Sequence, residues 1–307
     1  MIEPDGPADE PADVGRRLAI RLVAAAAVCV ALAAATYLLL VRTRLGQRFD
    51  NAALIGSQQQ SLSSRLRDYY FLEHIRAGTF AAFLVVIALC GVIRRRPRAG
   101  LAMAGAAFLA VVCTDLAKNQ ILTRPFLVPS DAIRQNNTFP SGHTATAIGC
   151  ALALVVLSPP IIRGLVALLA GSYSWIVAAD VQTAGWHRPS DAIGASLLAF
   201  ATIAVCAAVV CWRRPLGEGR RSAHWVAFPV LGVVGVLSAV LSAVNASRGL
   251  AILVKTRDSP NPLTPAVLND AYLFSVNLTV FVVVCLLISL LLVLGKHDLD
   301  QPRARPG

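Results

Sequence analysis

The chain has 307 residues, of which 56% are apolar and 15% charged, and its mean hydropathy is +0.64. A soluble domain runs nearer about 45–50% apolar and about 25% charged, so a disordered chain is excluded and a soluble enzyme is disfavoured. The net charge of +11 falls in short basic clusters between long apolar runs, which is how a polytopic membrane protein, rather than a nucleic-acid binder, distributes charge.

Crossing the hydrocarbon core takes about 20 apolar residues in a helix. Eight stretches are candidates: 18–41, 77–93, 99–117, 143–158, 161–180, 191–211, 226–245 and 272–295. The apolar run of the first is longer than the ~7–15 residues of a signal-peptide core, so it reads as an uncleaved anchor. Segment 42–76 follows, with six arginines, and its stretch 61–73 reads as an amphipathic helix lying on the lipid surface. Arg94, Arg95, Arg96 and Arg98 separate spans two and three, and Arg213, Arg214, Arg220 and Arg221 separate spans six and seven. Basic short loops stay on the cytoplasmic side. Both termini are then cytoplasmic, and loops 118–142, 181–190 and 246–271 face outward.

The expected fold is an all-α membrane helix bundle. A cytoplasmic tail (1–17) leads into a six-span core (18–211), a basic cytoplasmic loop (212–225), a two-span extension (226–295) and a second cytoplasmic tail (296–307). The seven cysteines (Cys29, Cys90, Cys113, Cys150, Cys206, Cys211 and Cys285) lie in or beside apolar runs. None forms a CxxC pair or a Cys/His cluster, so they read as small buried hydrophobes rather than a disulfide framework or zinc site. A Walker loop, a GxGxxG turn and an HExxH helix are absent from the sequence, and no cofactor or metal is expected.

The polar residues that suggest chemistry lie at the outward helix ends. Lys118 and Arg124-Pro125 follow span three, Phe139-Pro140-Ser141-Gly142-His143 opens span four, and Trp186-His187-Arg188-Pro189-Ser190-Asp191 joins spans five and six. Ser141 and Gly142 precede an apolar run, so they cap a helix whose unpaired N–H groups form a cradle for phosphate oxygens. Lys118 and Arg124 add positive charge, and an arginine can hold two phosphate oxygens at once. His187 and Asp191 stand one helical turn apart, so the carboxylate can hold one imidazole nitrogen and leave the other to attack. His143, on another helix, can give a proton to a leaving oxygen. Each residue alone has a plainer role as a cap, a dipole partner or a solvated charge; their gathering in one outward layer favours a phosphate site.

In this order the residues resemble the type 2 phosphatidic acid phosphatases, or lipid phosphate phosphatases, in their membrane-bound branch. That family carries Lys-x6-Arg-Pro, Pro-Ser-Gly-His and Ser-Arg-x5-His-x3-Asp at the corresponding helix ends. Pro140-Ser141-Gly142-His143 is complete here, and His187 with Asp191 supplies the latter half of the third motif. The resemblance covers about 18–211. Lys118 and Arg124 are one residue closer than in the family, a shift of about 100° on a helix. The third motif's Ser-Arg falls on Asp180 and Val181; Arg188 and Arg134 are the candidates to replace the missing charge.

The resemblance implies a metal-independent phosphohydrolase working through a phosphohistidine. His187 is then the nucleophile, Asp191 its orienter and His143 the acid, while Lys118, Arg124, Ser141, Gly142 and Arg188 bind the phosphoryl group. The implied partners are a lipid phosphate, such as an isoprenyl pyrophosphate or phosphatidic acid, and the bilayer, with no nucleic acid. A lipid phosphotransferase with the same chemistry and a non-catalytic lipid-binding protein are the alternatives. Spans seven and eight carry almost no internal charge and read as packing helices, or as a surface for a membrane-protein partner or self-association.

Overall fold

The structure, a computed structural model, describes residues 11–128, 136–212, 217–218, 224–255 and 263–298. Helix α1 (Pro11–Thr36) continues through a π-helical turn, Tyr37–Val41, to α2 (Arg44–Ser57). There the Thr43 side chain caps α2 by accepting the Gly46 N–H. Helix α3 (Leu62–Glu73), capped by Ser61, meets α4 (Ala77–Ile93) at a 61° bend. Helix α5 (Pro97–Leu116) ends in a second π-helical turn, Ala117–Ile121. The bundle continues with α6 (Gly142–Leu157), α7 (Pro160–Thr183), α8 (Pro189–Trp212) and α9 (His224–Asn245). A third π-helical turn, Ala246–Leu250, extends α9 into the short α10 (Ala251–Lys255), and α11 (Pro265–Leu294) closes the bundle. A two-residue antiparallel pairing joins β1 (Gly217–Glu218) to β2 (His297–Asp298).

Each of the eight expected stretches contains a helix, but they are not eight equivalent spans. Among the described residues, six helices are long and apolar enough to cross a membrane: 14–41, 97–121, 160–183, 189–212, 226–255 and 265–294. Helices α3 and α4 together make a bent seventh candidate, and α6 has only 16 residues. At about 1.5 Å per residue α6 falls short of the ~30 Å core. It starts at the Ser141 cap and ends before Pro159-Pro160, where proline disfavours continuation of the helix. From Thr144 to Leu157 every residue of α6 except Leu154 is buried, so protein surrounds it and it need not span lipid.

Small residues hold the centre together. Ala19, Ala26 and Ala33 of α1 and Ala199, Ala204 and Ala207 of α8 are buried in one apolar core, with α1 packed along α8. Short side chains let membrane helices approach closely enough for dispersion and backbone contacts to associate them. Helix α11 packs on α9, α7 and α2. Gln182 of α7 donates to Thr279 (2.9 Å) and accepts from Ser275 (2.9 Å), and Thr183 bonds the Tyr272 hydroxyl at 2.8 Å. At the opposite end of α7 the fully buried Arg163 donates to the carbonyls of Ser158, Gly295 and His297 at 3.0–3.2 Å, satisfying the ends of α6 and α11.

Segment 42–76 departs from expectation. Helix α2 is inserted in the protein, with Phe49, Ala52, Ala53 and the polar Gln47, Asp50 and Asn51 all buried. Helix α3 packs against α7, burying Asp68 and Leu72, and Tyr69 meets the Trp186 ring edge-on at 5.2 Å. Leu62, Leu66 and Tyr70 remain exposed, so protein covers only part of the helix. The seven cysteines are free; Cys29, Cys150 and Cys211 are buried, Cys113 is exposed, and the others are half-buried. Arg134 and the basic cluster at 213, 214, 220 and 221 lie outside the described residues.

Candidate active site

The turn between α7 and α8 positions His187. Gly185 takes φ +70°, a left-handed conformation that glycine adopts without strain. The chain then doubles back so that the N–H groups of Trp186 and His187 both donate to the Val181 carbonyl at 3.0 Å. Asp191, on the first turn of α8, is fully buried. Its Oδ2 lies 3.2 Å from His187 Nδ1 and accepts the Arg188 backbone N–H at 2.9 Å. A carboxylate only accepts, so Nδ1 carries the proton and Nε2 keeps its lone pair. The pattern i, i+4 thus fixes both the tautomer and the aim of the ring.

Helix α6 supplies the opposing side. Ser141 accepts from the Thr144 N–H (3.4 Å) and hydroxyl (3.1 Å), while its own N–H donates to the Asp191 carbonyl at 3.0 Å. These bonds dock the start of α6 on the start of α8. The His143 ring stands 6.5 Å from that of His187 and 5.1 Å from Trp186. Lys118 projects from the π-helical end of α5, and Asn137 ties that turn down by donating to the Lys118 and Leu122 carbonyls.

Lys118, Gly142, His143, Trp186 and His187 line one cavity of about 590 Å³, whose remaining wall includes Arg76, Phe80 and Val111. The expected residues therefore divide. Lys118, Gly142, His143 and His187 face the cavity, and Asp191 stands directly behind His187. Ser141 is fully buried, and its hydroxyl is engaged as the helix cap beside Gly142.

Arg124 and Arg188 are placed apart from these groups. Neither is on the wall of the histidine cavity; both line a separate small cavity with Gln47 and Asn51. Arg124 pairs with Asp50 of α2 at 2.8 Å, with side-chain exposures of 5% and 0%. Asp50 also accepts the Ser190 N–H (3.2 Å) and hydroxyl (2.6 Å). Burial pushes the Asp50 carboxyl upward from its ordinary range, and the guanidinium beside it opposes that shift. Arg188 is 2% exposed and donates to Asn51 (3.1 Å) and Thr138 (3.2 Å). Both guanidinium groups thus brace the α8 start from behind. Val181, where the resemblance has an arginine, is fully buried with Leu72, Ala147, Val177 and Ala192, and no cation extends from that position.

Sequence reasoning missed Asp50, Asn51 and Arg76. Gln47, Asp50 and Asn51 do carry a signal: they repeat at i, i+3, i+4, one face of a helix. Arg76 carries none beyond its place immediately before an apolar run. Among the described residues, no group of three or more His, Cys, Asp and Glu side chains could hold a metal ion.

No curated protein and no solved structure gives a significant match to the chain. The model of the PAP2 superfamily matches residues 98–215, a segment that runs from the start of α5 beyond the end of α8 and contains Lys118, Gly142, His143, His187 and Asp191. Over that segment the chain is similar to the PAP2 superfamily, and the segment is built of membrane-type apolar helices.

Proposed function

We propose that the protein is a lipid phosphate or pyrophosphate phosphohydrolase acting through a phosphohistidine at the outer membrane–water interface. The observation that carries this reading is the pair of imidazoles, 6.5 Å apart across one cavity, with only His187 held by a carboxylate. His187 Nε2 attacks phosphorus while Asp191 holds the ring and stabilises the charge it gains. His143 protonates the leaving oxygen, and water then releases phosphate with His143 taking its proton. Lys118 and the Gly142 amide neutralise charge on the transferred group, which is the main demand of phosphoryl transfer. An apolar flank beside the charged end suits a substrate whose tail stays in lipid.

The outward placement is supported by charge asymmetry along α4 and α5. Arg76 and Lys118 lie at one end of this pair, and Arg94, Arg95, Arg96 and Arg98 at the other. The positive-inside rule assigns the denser cluster to the cytoplasm. In a cysteine-free background, a cysteine placed at 126–128 should react with an impermeant maleimide on intact cells, and one at 217–218 only after lysis. The reverse pattern would overturn the orientation.

Phosphate release from a panel of lipid phosphates by purified protein is the direct test of the activity. With cations and amides taking the role of a metal, EDTA should leave that release unchanged. Loss in EDTA with recovery on adding magnesium or zinc would remove the phosphohistidine mechanism.

A further inference from the structure

The cavity reaches beyond the groups that phosphoryl transfer needs. Its far wall is the start of α4, where Arg76 is followed one turn later by Phe80, and the middle of α5, where Val111 lies two turns below Lys118. Cations therefore occupy the outer level of this wall and apolar side chains the deeper level. Phe80 stacks on Phe108 of α5 at 6.4 Å, which fixes the aromatic ring on the cavity wall. Among the described residues no carboxylate lines the cavity.

Arg76 stands differently from the two buried arginines. Its Nε donates to the Glu73 carbonyl (2.6 Å) and its NH2 lies 3.7 Å from the Glu73 carboxylate, while the side chain is 73% exposed. A long, weak pair at such exposure contributes little, so the guanidinium can exchange Glu73 for a stronger anion. Its backbone is separately fixed, since the Arg76 N–H donates to the Thr79 hydroxyl at 2.8 Å.

We infer that Arg76 is a specificity-determining residue that binds a second phosphate, the one between the transferred phosphoryl group and the lipid tail, so that the substrate class is a lipid diphosphate. The inference rests on the reading of this cavity as a phosphohydrolase site. A monophosphate presents one anionic group, which Lys118 and the Gly142 amide receive. A diphosphate places a second anion nearer its tail, at the level where Arg76 meets the Phe80 wall, and a guanidinium fork matches two of its oxygens. In the reaction His187 Nε2 bonds the terminal phosphorus as the bridging P–O bond breaks. The bridging oxygen leaves on the lipid monophosphate with the proton from His143. Water then breaks the P–N bond, giving inorganic phosphate and returning a proton to His143.

Binding of inorganic pyrophosphate and inorganic phosphate to the full chain in detergent, measured calorimetrically, tests Arg76 without turnover. Wild type should bind pyrophosphate more tightly than phosphate, and Arg76→Gln should lower that preference about tenfold, the scale of a charge-assisted contact. Arg76→Lys should recover part of it, and Arg98→Gln, at the other end of the helix pair, should match wild type. In turnover, the ratio of kcat/KM for a prenyl diphosphate over the prenyl monophosphate should fall by the same factor, chiefly through KM. An unchanged ratio in Arg76→Gln, or no pyrophosphate preference in wild type, would overturn the inference. Absence of phosphate release from every lipid phosphate would overturn the hydrolase reading instead, while the binding ratio would still decide whether Arg76 holds a second phosphate.

Discussion

His187→Ala should lose at least about 10³-fold in kcat on every phosphoester the protein hydrolyses, about 4 kcal/mol of barrier, because the covalent intermediate cannot form. The loss should not depend on the leaving group. His143→Ala should behave differently. An acid matters least when the departing oxygen is already stable, so this variant should be spared on an aryl phosphate and crippled on an alkyl phosphate. Asp191→Asn should fall between the two, since an amide can still meet Nδ1 but does not balance the charge the ring acquires. The 6.5 Å ring separation leaves space for a phosphoryl group between the imidazoles, which is what distinct roles require. Near-normal turnover by His187→Ala, or leaving-group sparing at His187 instead of His143, would reverse or remove this assignment.

Arg124→Ala should be a stability variant before it is a catalytic one. The guanidinium pairs with Asp50 in a setting where both side chains are almost completely enclosed, so its removal strands a buried carboxylate, at a cost of about 3–5 kcal/mol. The thermal midpoint in detergent should fall sharply. Asp50→Asn should cost less, because an amide oxygen can still accept from Ser190. The double variant Asp50→Asn with Arg124→Ala should be more stable than the two single losses added together, the signature of direct coupling. Activity should track the folded fraction, because Ser190 carries the strain to its neighbour Asp191 and so to His187. A raised KM with an unmoved thermal midpoint would instead return Arg124 to the substrate.

Helix positions were legible because apolar runs in this chain are long and bounded by arginine or proline. The length of α6 was harder to read: its apolar character is the same whether lipid or protein surrounds it, and only the surrounding α5, α7 and α8 reveal the latter. At the site, Ser141-Gly142-His143 and His187-x3-Asp191 were readable because their geometry is local, a cap and a one-turn spacing. The surroundings of the two arginines were not readable, for the opposite reason. Sequence shows a positive charge but not its counterion, and Asp50 lies 74 residues before Arg124. Helix α2 was obscured by its arginines, which drew attention to the surface while Phe49, Ala52 and Ala53 marked a face for burial against α11.

The bonds of Arg163 and Gln182 bear on how the chain is assembled. Helix α7 leaves the ribosome more than 80 residues before the carbonyls of Gly295 and His297 and the hydroxyls of Ser275 and Thr279 that satisfy these two side chains. Until then the guanidinium and the carboxamide have only their local partners, the Ser158 and Ala178 carbonyls, and part of their hydrogen-bonding capacity is unmet, a costly condition in hydrocarbon. Helix α7 consequently gains its full set of hydrogen bonds only once α11 is in place. A chain cut after α8 would retain Lys118, His143, His187 and Asp191 and still lack the partners that α11 and the residues after it give to Arg163 and Gln182.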